Sequence, residues 1–453
     1  MVQPKIDVNV VSNIVLTAGE SYGVGAIVST SSWGEDGKVR SFTNYKDVVE
    51  MFKSGALVDG AKYFFQNGGK ELYILRCNPN AVQSEKTFQG SGSDVLKIKA
   101  KYGGSYGNNI AVTITANAND PNKRDIEITD GVVTETYTAL STNDEIVNAI
   151  NSNSQLVVAE ELSSVLVDAT SKTYLTGGSD GATNNNDMID YIQNYLWLKE
   201  FDYLMTPGFT DDALHASIQA LLDSRATSEN LYSIYIAGVD KFEDISTTLS
   251  RTATNSNGRL VVIHSSLYKG DGDLEDTNNW LDASYTACAY GGLLCSLPVQ
   301  TSPTYKPVGF IAGKSLTERY YTSIEREQLI SAGFTIFDRL TPTRYGCVMG
   351  VTRTGDNTTW NYMLDSRRKV DYLLTNFVEV GKSYIGQPND ELTRKNIRSG
   401  MLSVLAEARD NRMVSDYQVE VLQGSDPREV DMNATIKLVN EVDYIDINLT
   451  LSL

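Results

Sequence analysis

The sequence predicts an α/β protein: a mixed α/β core, a β-rich domain inserted into it, and a C-terminal α+β domain. Strand and helix patterns alternate over residues 22–77 and again over 188–352, which is the order of α/β units. Between them, residues 86–186 lose aromatics and gain Ser, Thr, Asn, Asp and Gly around short alternating runs. Both ends also read as strands. Ile6, Val8 and Val10 alternate with Asp7 and Asn9, while Ile445, Ile447, Leu449, Leu451 and Leu453 alternate without a miss against Asp446, Asn448, Thr450 and Ser452. A terminal strand with one clean apolar face needs a partner sheet, in its own molecule or in a neighbour.

In chain order, residues 22–30 form a small-residue strand buried on both faces, ending at Trp33-Gly34. A strand over Val39–Phe42 follows, then helices over Tyr45–Phe52 and 60–66, the second stopped by Asn67-Gly68-Gly69. Residues 71–77 return as a strand. In the insertion, 95–101, 110–116, 125–130 and 132–138 read as strands, the last two as a hairpin across Asp130-Gly131, and 143–151 as a short helix. Past Met188, strands at 202–205, 231–237 and 260–264 alternate with helices at 211–224, 242–250 and 276–294. Strands at 308–312, 335–340 and 347–351 complete the core.

The C-terminal third begins with a helix over 361–381, whose basic run is Arg367, Arg368 and Lys369. Asn389-Asp390 caps a second helix, from Glu391 to about Arg412. At about 100° per residue, Arg394, Lys395, Arg398, Arg409 and Arg412 share one arc of roughly 100° beside an apolar face of Ile397, Met401, Val404, Leu405 and Ala408. Gly400 within it costs about 1 kcal/mol relative to Ala. A hairpin follows: Tyr417, Val419 and Val421 alternate, Gly424-Ser425-Asp426-Pro427 turns, and Met432, Ala434, Ile436 and Leu438 return. Two strands alone are marginal in water, so this hairpin needs more, and the stretches 1–16 and 443–453 can supply them.

Composition narrows the function. The chain has 453 residues, 41% hydrophobic and 21% charged, enough for roughly two to four domains. A net charge of −18 argues against direct nucleic-acid binding. No apolar run approaches a membrane span, and no secretory leader is expected at the N-terminus. Cys77, Cys288, Cys295 and Cys347 lack paired short spacings and read as buried thiols; with only His215 and His264, histidine chemistry has few options. Gly309 to Ser315 nearly spells a phosphate loop but has one residue too few between its glycines. The acidic loop Asp271, Asp273, Glu275, Asp276 lacks the calcium-loop glycine. His264 and Ser265, as strand neighbours, should face opposite ways. No catalytic residue, metal or cofactor is predicted.

Trp33-Gly34, then Ser41-Phe42-Thr43-Asn44-Tyr45, then Ala61 through Arg76 with its Phe64-Phe65 pair and Asn67-Gly68-Gly69 turn, together resemble the N-terminal core of contractile tail sheath proteins. The order helix, helix, hairpin, alternating terminal strand resembles the same family. That resemblance implies a structural subunit that polymerises as a helical homo-oligomer, in stacked hexameric rings, around an inner tail tube. It implies baseplate and tail terminator partners, no membrane insertion, and contraction that drives the tube through a cell envelope. It also implies that Ile6, Val8, Val10 and Ile445, Ile447, Leu449, Leu451, Leu453 belong to strands exchanged between subunits. The acceptor would be the Tyr417–Val421 and Met432–Leu438 hairpin. Arg394, Lys395, Arg398, Arg409 and Arg412 would meet a tube whose surface tends to be acidic. The expected division is an arm at 1–16, a discontinuous core at 17–85 and 187–352, an outer insertion at 86–186, a C-terminal domain at 353–440 and a donated strand at 441–453. A static polymer-forming protein and an α/β enzyme with an accessory β domain are the alternatives.

Overall fold

The structure, a computed structural model, describes residues 23–270 and 272–440, so the alternating stretches 1–16 and 441–453 lie outside the described residues. The described chain divides into two compact units, one built on residues 23–27, 60–73 and 196–440, the other on Val28–Asp59 and Ile74–Tyr195.

The first unit is organised by a sheet whose central strands run parallel. Val24–Ser29, Tyr203–Met205, Ile234–Gly238, Leu260–Ile263 and Phe334–Thr341 lie side by side, with Gly25 opposite Tyr203, Tyr203 opposite Ile234, and Val262 opposite Phe334. Arg344–Met349 and the two-residue strand Pro307–Val308 close one side antiparallel. The central strands are short apolar runs (Tyr-Leu-Met, Leu-Val-Val-Ile) buried along their length, as parallel strands covered on both faces require. The helix Ala283–Ser296 is buried at thirteen of its fourteen residues. It packs this closely because Gly292 carries no side chain: a Cβ there would sit 2.1 Å from the Phe64 carbonyl oxygen.

That helix begins seven residues later than its periodicity predicts. Asp282 accepts the Ser284 N–H and so caps it, while Trp280–Leu281 pairs antiparallel with Leu267–Tyr268. Trp280 is buried and donates its indole N–H to Leu274 O at 3.0 Å. His264 and Ser265 also depart from expectation. The strand ends at Ile263, alternation lapses, and both reach the buried Tyr321 hydroxyl, His264 Nδ1 at 2.7 Å and Ser265 Oγ at 2.8 Å. The short-spaced glycine loop makes no phosphate cradle: Lys314 Nζ is held by Glu325 at 2.6 Å and Glu318 at 3.3 Å. All four cysteines are buried and free.

The second unit holds two antiparallel sheets. Glu85–Gly90, Ser93–Ala100 and Val157–Glu161 form one; Thr170–Tyr174, Ala111–Ala116, Arg124–Thr129 and Thr134–Leu140 form the other. The predicted hairpin closes with Asp130 Oδ1 accepting the Val132 and Val133 N–H groups. The helix Asn143–Asn153 is capped by Thr142 and buries Ile146 and Ile150. Trp33 belongs to this unit's core, edge-on to Tyr102 and Tyr106 with ring centres 5.3 and 5.7 Å apart.

Arg76 explains why the Trp33-Gly34 turn and the strand's closing arginine occur together. Its buried guanidinium donates to Gly34 O at 2.8 Å, Gly103 O at 2.7 Å and Ser31 O at 3.2 Å. A planar fork can serve three carbonyls at once; an ammonium cannot reproduce that geometry. Arg76→Lys is therefore expected to destabilise this unit by about 2–3 kcal/mol, because the carbonyls lose their donors while staying buried. Urea unfolding followed by Trp33 fluorescence, read against a variant in which Trp33 is the only tryptophan, measures it.

Candidate functional site

The C-terminal part of the first unit is built from the helices Leu364–Lys382 and Glu391–Asp410 and the hairpin Val414–Gln423, Val430–Leu438. Asp390 caps the second helix by accepting the Thr393 N–H, which also holds its carboxyl below the usual range. The helix ends at Asp410, short of the predicted Arg412, because Arg412 takes a left-handed conformation (φ 51°). Val370, Leu373, Leu374 and Phe377 from the first helix meet Ile397, Met401, Leu405 and Ala408 from the second and Val419, Ile436 and Leu438 from the hairpin in one buried cluster. Gly400 is not a flaw in this helix: a Cβ there would stand 2.9 Å from Val380 Cγ1, so the glycine permits the crossing of the two helices.

The hairpin pairs in register from Tyr417 opposite Ile436 to Val421 opposite Met432. Tyr417, Val419, Val421, Met432, Ala434, Ile436 and Leu438 share its inner face, packed on the core or buried in it. Gln418, Glu420, Asn433, Thr435 and Lys437 occupy the outer, exposed face. Among the described residues this sheet has two strands and no third. An edge of that kind presents unpaired backbone groups to any strand that can reach it. The subunit-linking residues Ile6, Val8, Val10, Ile445, Ile447, Leu449, Leu451 and Leu453 all lie outside the described residues.

The five predicted tube-contact residues are held in different ways. Arg394 is half-buried and bonds Asn389 Oδ1 at 2.7 Å; Asn389 in turn donates to Pro427 O and Glu429 O in the hairpin turn. Lys395 pairs with Glu391 at 2.7 Å. Arg398 donates to Val419 O at 3.0 Å, and the Arg409 guanidinium lies 5.8 Å from the Tyr417 ring centre. Lys395, Arg398, Arg409 and Arg412 are exposed.

The other basic run has a separate task that charge counting did not reveal. Arg367, Arg368 and Lys369 are buried. Lys369 pairs with Asp365 at 2.7 Å, and Asp371 joins Arg367 at 2.5 Å to Arg259 at 2.7 Å. Arg368 donates to Tyr203 Oη at 2.7 Å, Leu297 O at 2.9 Å, Leu294 O at 3.0 Å and Thr301 O at 3.1 Å. Beside them, burial pushes the Asp202 carboxyl up to about 7, although it accepts the Val24 N–H. The signal in the sequence was the carboxylate spacing: Asp365 and Asp371 stand four residues from Lys369 and Arg367.

An α/β core with this helix–helix–hairpin domain is the fold of tail sheath proteins. The sheath tail protein of Desulfitobacterium hafniense superposes with a TM-score of 0.71 at 18% identity, covering 96% of this chain and 100% of that one. The sheath tail protein of Listeria innocua gives 0.68 at 16% identity, covering 94% of each. The anti-feeding prophage helical sheath in its contracted state gives 0.56 at 12% identity over the full length of both. No curated protein matches the chain in sequence. Residues 356–452 match the phage tail sheath C-terminal domain family.

Proposed function

We propose that the chain is the structural subunit of a contractile tail sheath. It polymerises as a helical homo-oligomer of stacked hexameric rings around an inner tail tube, between baseplate and tail terminator, and contracts to drive the tube through a cell envelope. The particle is a phage tail or a phage-tail-like injection system assembled in the host cytoplasm. The role is mechanical and calls for no catalytic group.

The observation that carries this reading is the hairpin of Val414–Gln423 and Val430–Leu438, packed on one face and two-stranded among the described residues. The family match runs on through residue 452, taking in the alternating stretch that starts at Ile445. A donated strand from one neighbour and an arm strand from another would complete that sheet in each subunit. Subunits then stay linked while their side contacts exchange between two packings, the first kinetically trapped. Arg394, Lys395, Arg398, Arg409 and Arg412 are the proposed contacts to an acidic tube.

Truncation after Glu441 tests the linkage. The full-length chain is expected to form striated tubes in negative-stain electron microscopy, and the truncated chain to remain as compact particles. Tubes from the truncated chain would mean that the last strand is not the link.

A further inference from the structure

Outside the C-terminal domain, a second surface has the makings of an interface. The hairpin Phe334–Thr341, Arg344–Met349 carries Tyr345 near its tip, and the loop before the helix Ser323–Ser331 brings Tyr320 against it. The two rings stand 6.5 Å apart with their hydroxyls at 3.3 Å. The Arg339 guanidinium lies 5.4 Å from the Tyr320 ring centre and donates to Pro342 O at 2.8 Å. Arg319 is within electrostatic reach of both hydroxyls. Arg339, Arg344 and Tyr320 are exposed, and Ile324, four residues beyond Tyr320, is 69% exposed.

The nearby carboxylates are already engaged: Glu318 and Glu325 hold Lys314, and Asp338 holds Arg326. Among the described residues, Arg319, Arg339 and Arg344 form no ion pair. Three guanidiniums without carboxylates, set around the exposed Tyr320, the half-buried Tyr345 and an exposed isoleucine, are unusual on a chain whose net charge is −18. Tyr and Arg are the residue types that dominate binding energy at protein interfaces, with charge complementarity selecting the partner.

We propose that the surface formed by Tyr320, Tyr345, Arg319, Arg339 and Arg344 docks on an acidic face of a second copy of this chain. The inference rests on the sheath reading, in which copies must abut along the polymer. A second copy is the occupant because copies must abut along the polymer, and each carries a net charge of −18 for the arginines to meet. The tyrosine pair supplies rigid contact area, and the arginines supply attraction that salt screens.

The test compares the full-length wild type with the double variant Arg339→Glu, Arg344→Glu and with Tyr320→Ala. All three changes are at exposed side chains, so urea midpoints should agree, and that agreement is checked first. Assembly is read as the critical concentration for tubes, by light scattering and electron microscopy, at low and high NaCl. The double variant is expected to need about tenfold more protein or more at low salt, and Tyr320→Ala severalfold more. The wild type is expected to approach the double variant as salt rises. Equal critical concentrations for wild type and variants would overturn the docking surface and leave the sheath reading standing. A wild type that forms no tubes at all would overturn the sheath reading and this inference with it. Variants that assemble normally but no longer bind isolated inner-tube protein would overturn a second copy as the occupant.

Discussion

Arg368→Met is expected to lower stability by about 4 kcal/mol or more, enough to leave little folded protein at moderate urea. The methionine fills the space of the arginine stem but donates nothing. Tyr203 Oη and the Leu294 carbonyl lose a shared donor in a buried setting, and the Leu297 and Thr301 carbonyls lose it in a part-buried one. Each unsatisfied buried acceptor costs about 1–3 kcal/mol, against a total stability of about 5–15 kcal/mol. Tyr203→Phe, which removes only one of the four partners, should cost about 1 kcal/mol. Urea denaturation of both variants separates a shared anchor from a single hydrogen bond: similar losses for the two would show that the carbonyl contacts carry little.

Acid unfolding is the second large effect. Burial lowers His215 and His264 to about 4 each. Unfolded, each would titrate at about 6.5. The unfolded chain therefore binds more protons between those values, so the stability from each neutral histidine is whole above pH 6.5 and is lost as pH falls towards 4. The loss is about 3 kcal/mol for each by the lower end of that range. Asp202 works the other way: raised to about 7 in the fold, it favours folding at low pH and loses that contribution as pH climbs from about 4 to 7. Wild-type stability should thus rise with pH over this range, but less steeply than two histidines alone would make it. Asp202→Asn keeps an acceptor for the Val24 N–H and removes the opposing titration. Its stability between pH 4 and 6.5 should depend more steeply on pH than the wild type's. Equal slopes in chemical denaturation series would exclude Asp202 as the counterweight.

How much was legible in the sequence depends on what each residue answers to. The buried parallel strands were readable because runs such as Leu260–Ile263 have no other stable environment, and the hairpin because Met432 to Leu438 alternates cleanly. Glu85–Gly90 and Thr170–Tyr174 were not, since strands as polar as Thr-Ser-Lys-Thr-Tyr carry no periodic signal and are set by their neighbours. The periodicity extends the helix back to 276 because Trp280 and Leu281 fit a helical pattern as well as the strand they join. In the C-terminal domain the hairpin's inner face could be listed in advance, but the two basic runs could not be told apart. Arg367, Arg368 and Lys369 are buried in the fold while Lys395, Arg409 and Arg412 are exposed, and only tertiary partners decide which.

The pairing of Gly25 with Tyr203 bears on the order in which the chain can fold. Val24 donates to the Asp202 carboxylate across 178 positions of sequence, so the central sheet waits for a late segment during synthesis. Most of what lies between, Ile74 to Tyr195, belongs to a compact unit whose strands pair with near neighbours, as Ala111–Ala116 does with Arg124–Thr129. A ribosome emits that unit first, and its contacts are local enough to close early. Once folded, that unit leaves less flexible chain to close when residues 25 and 203 meet, which lowers the entropy cost of closure.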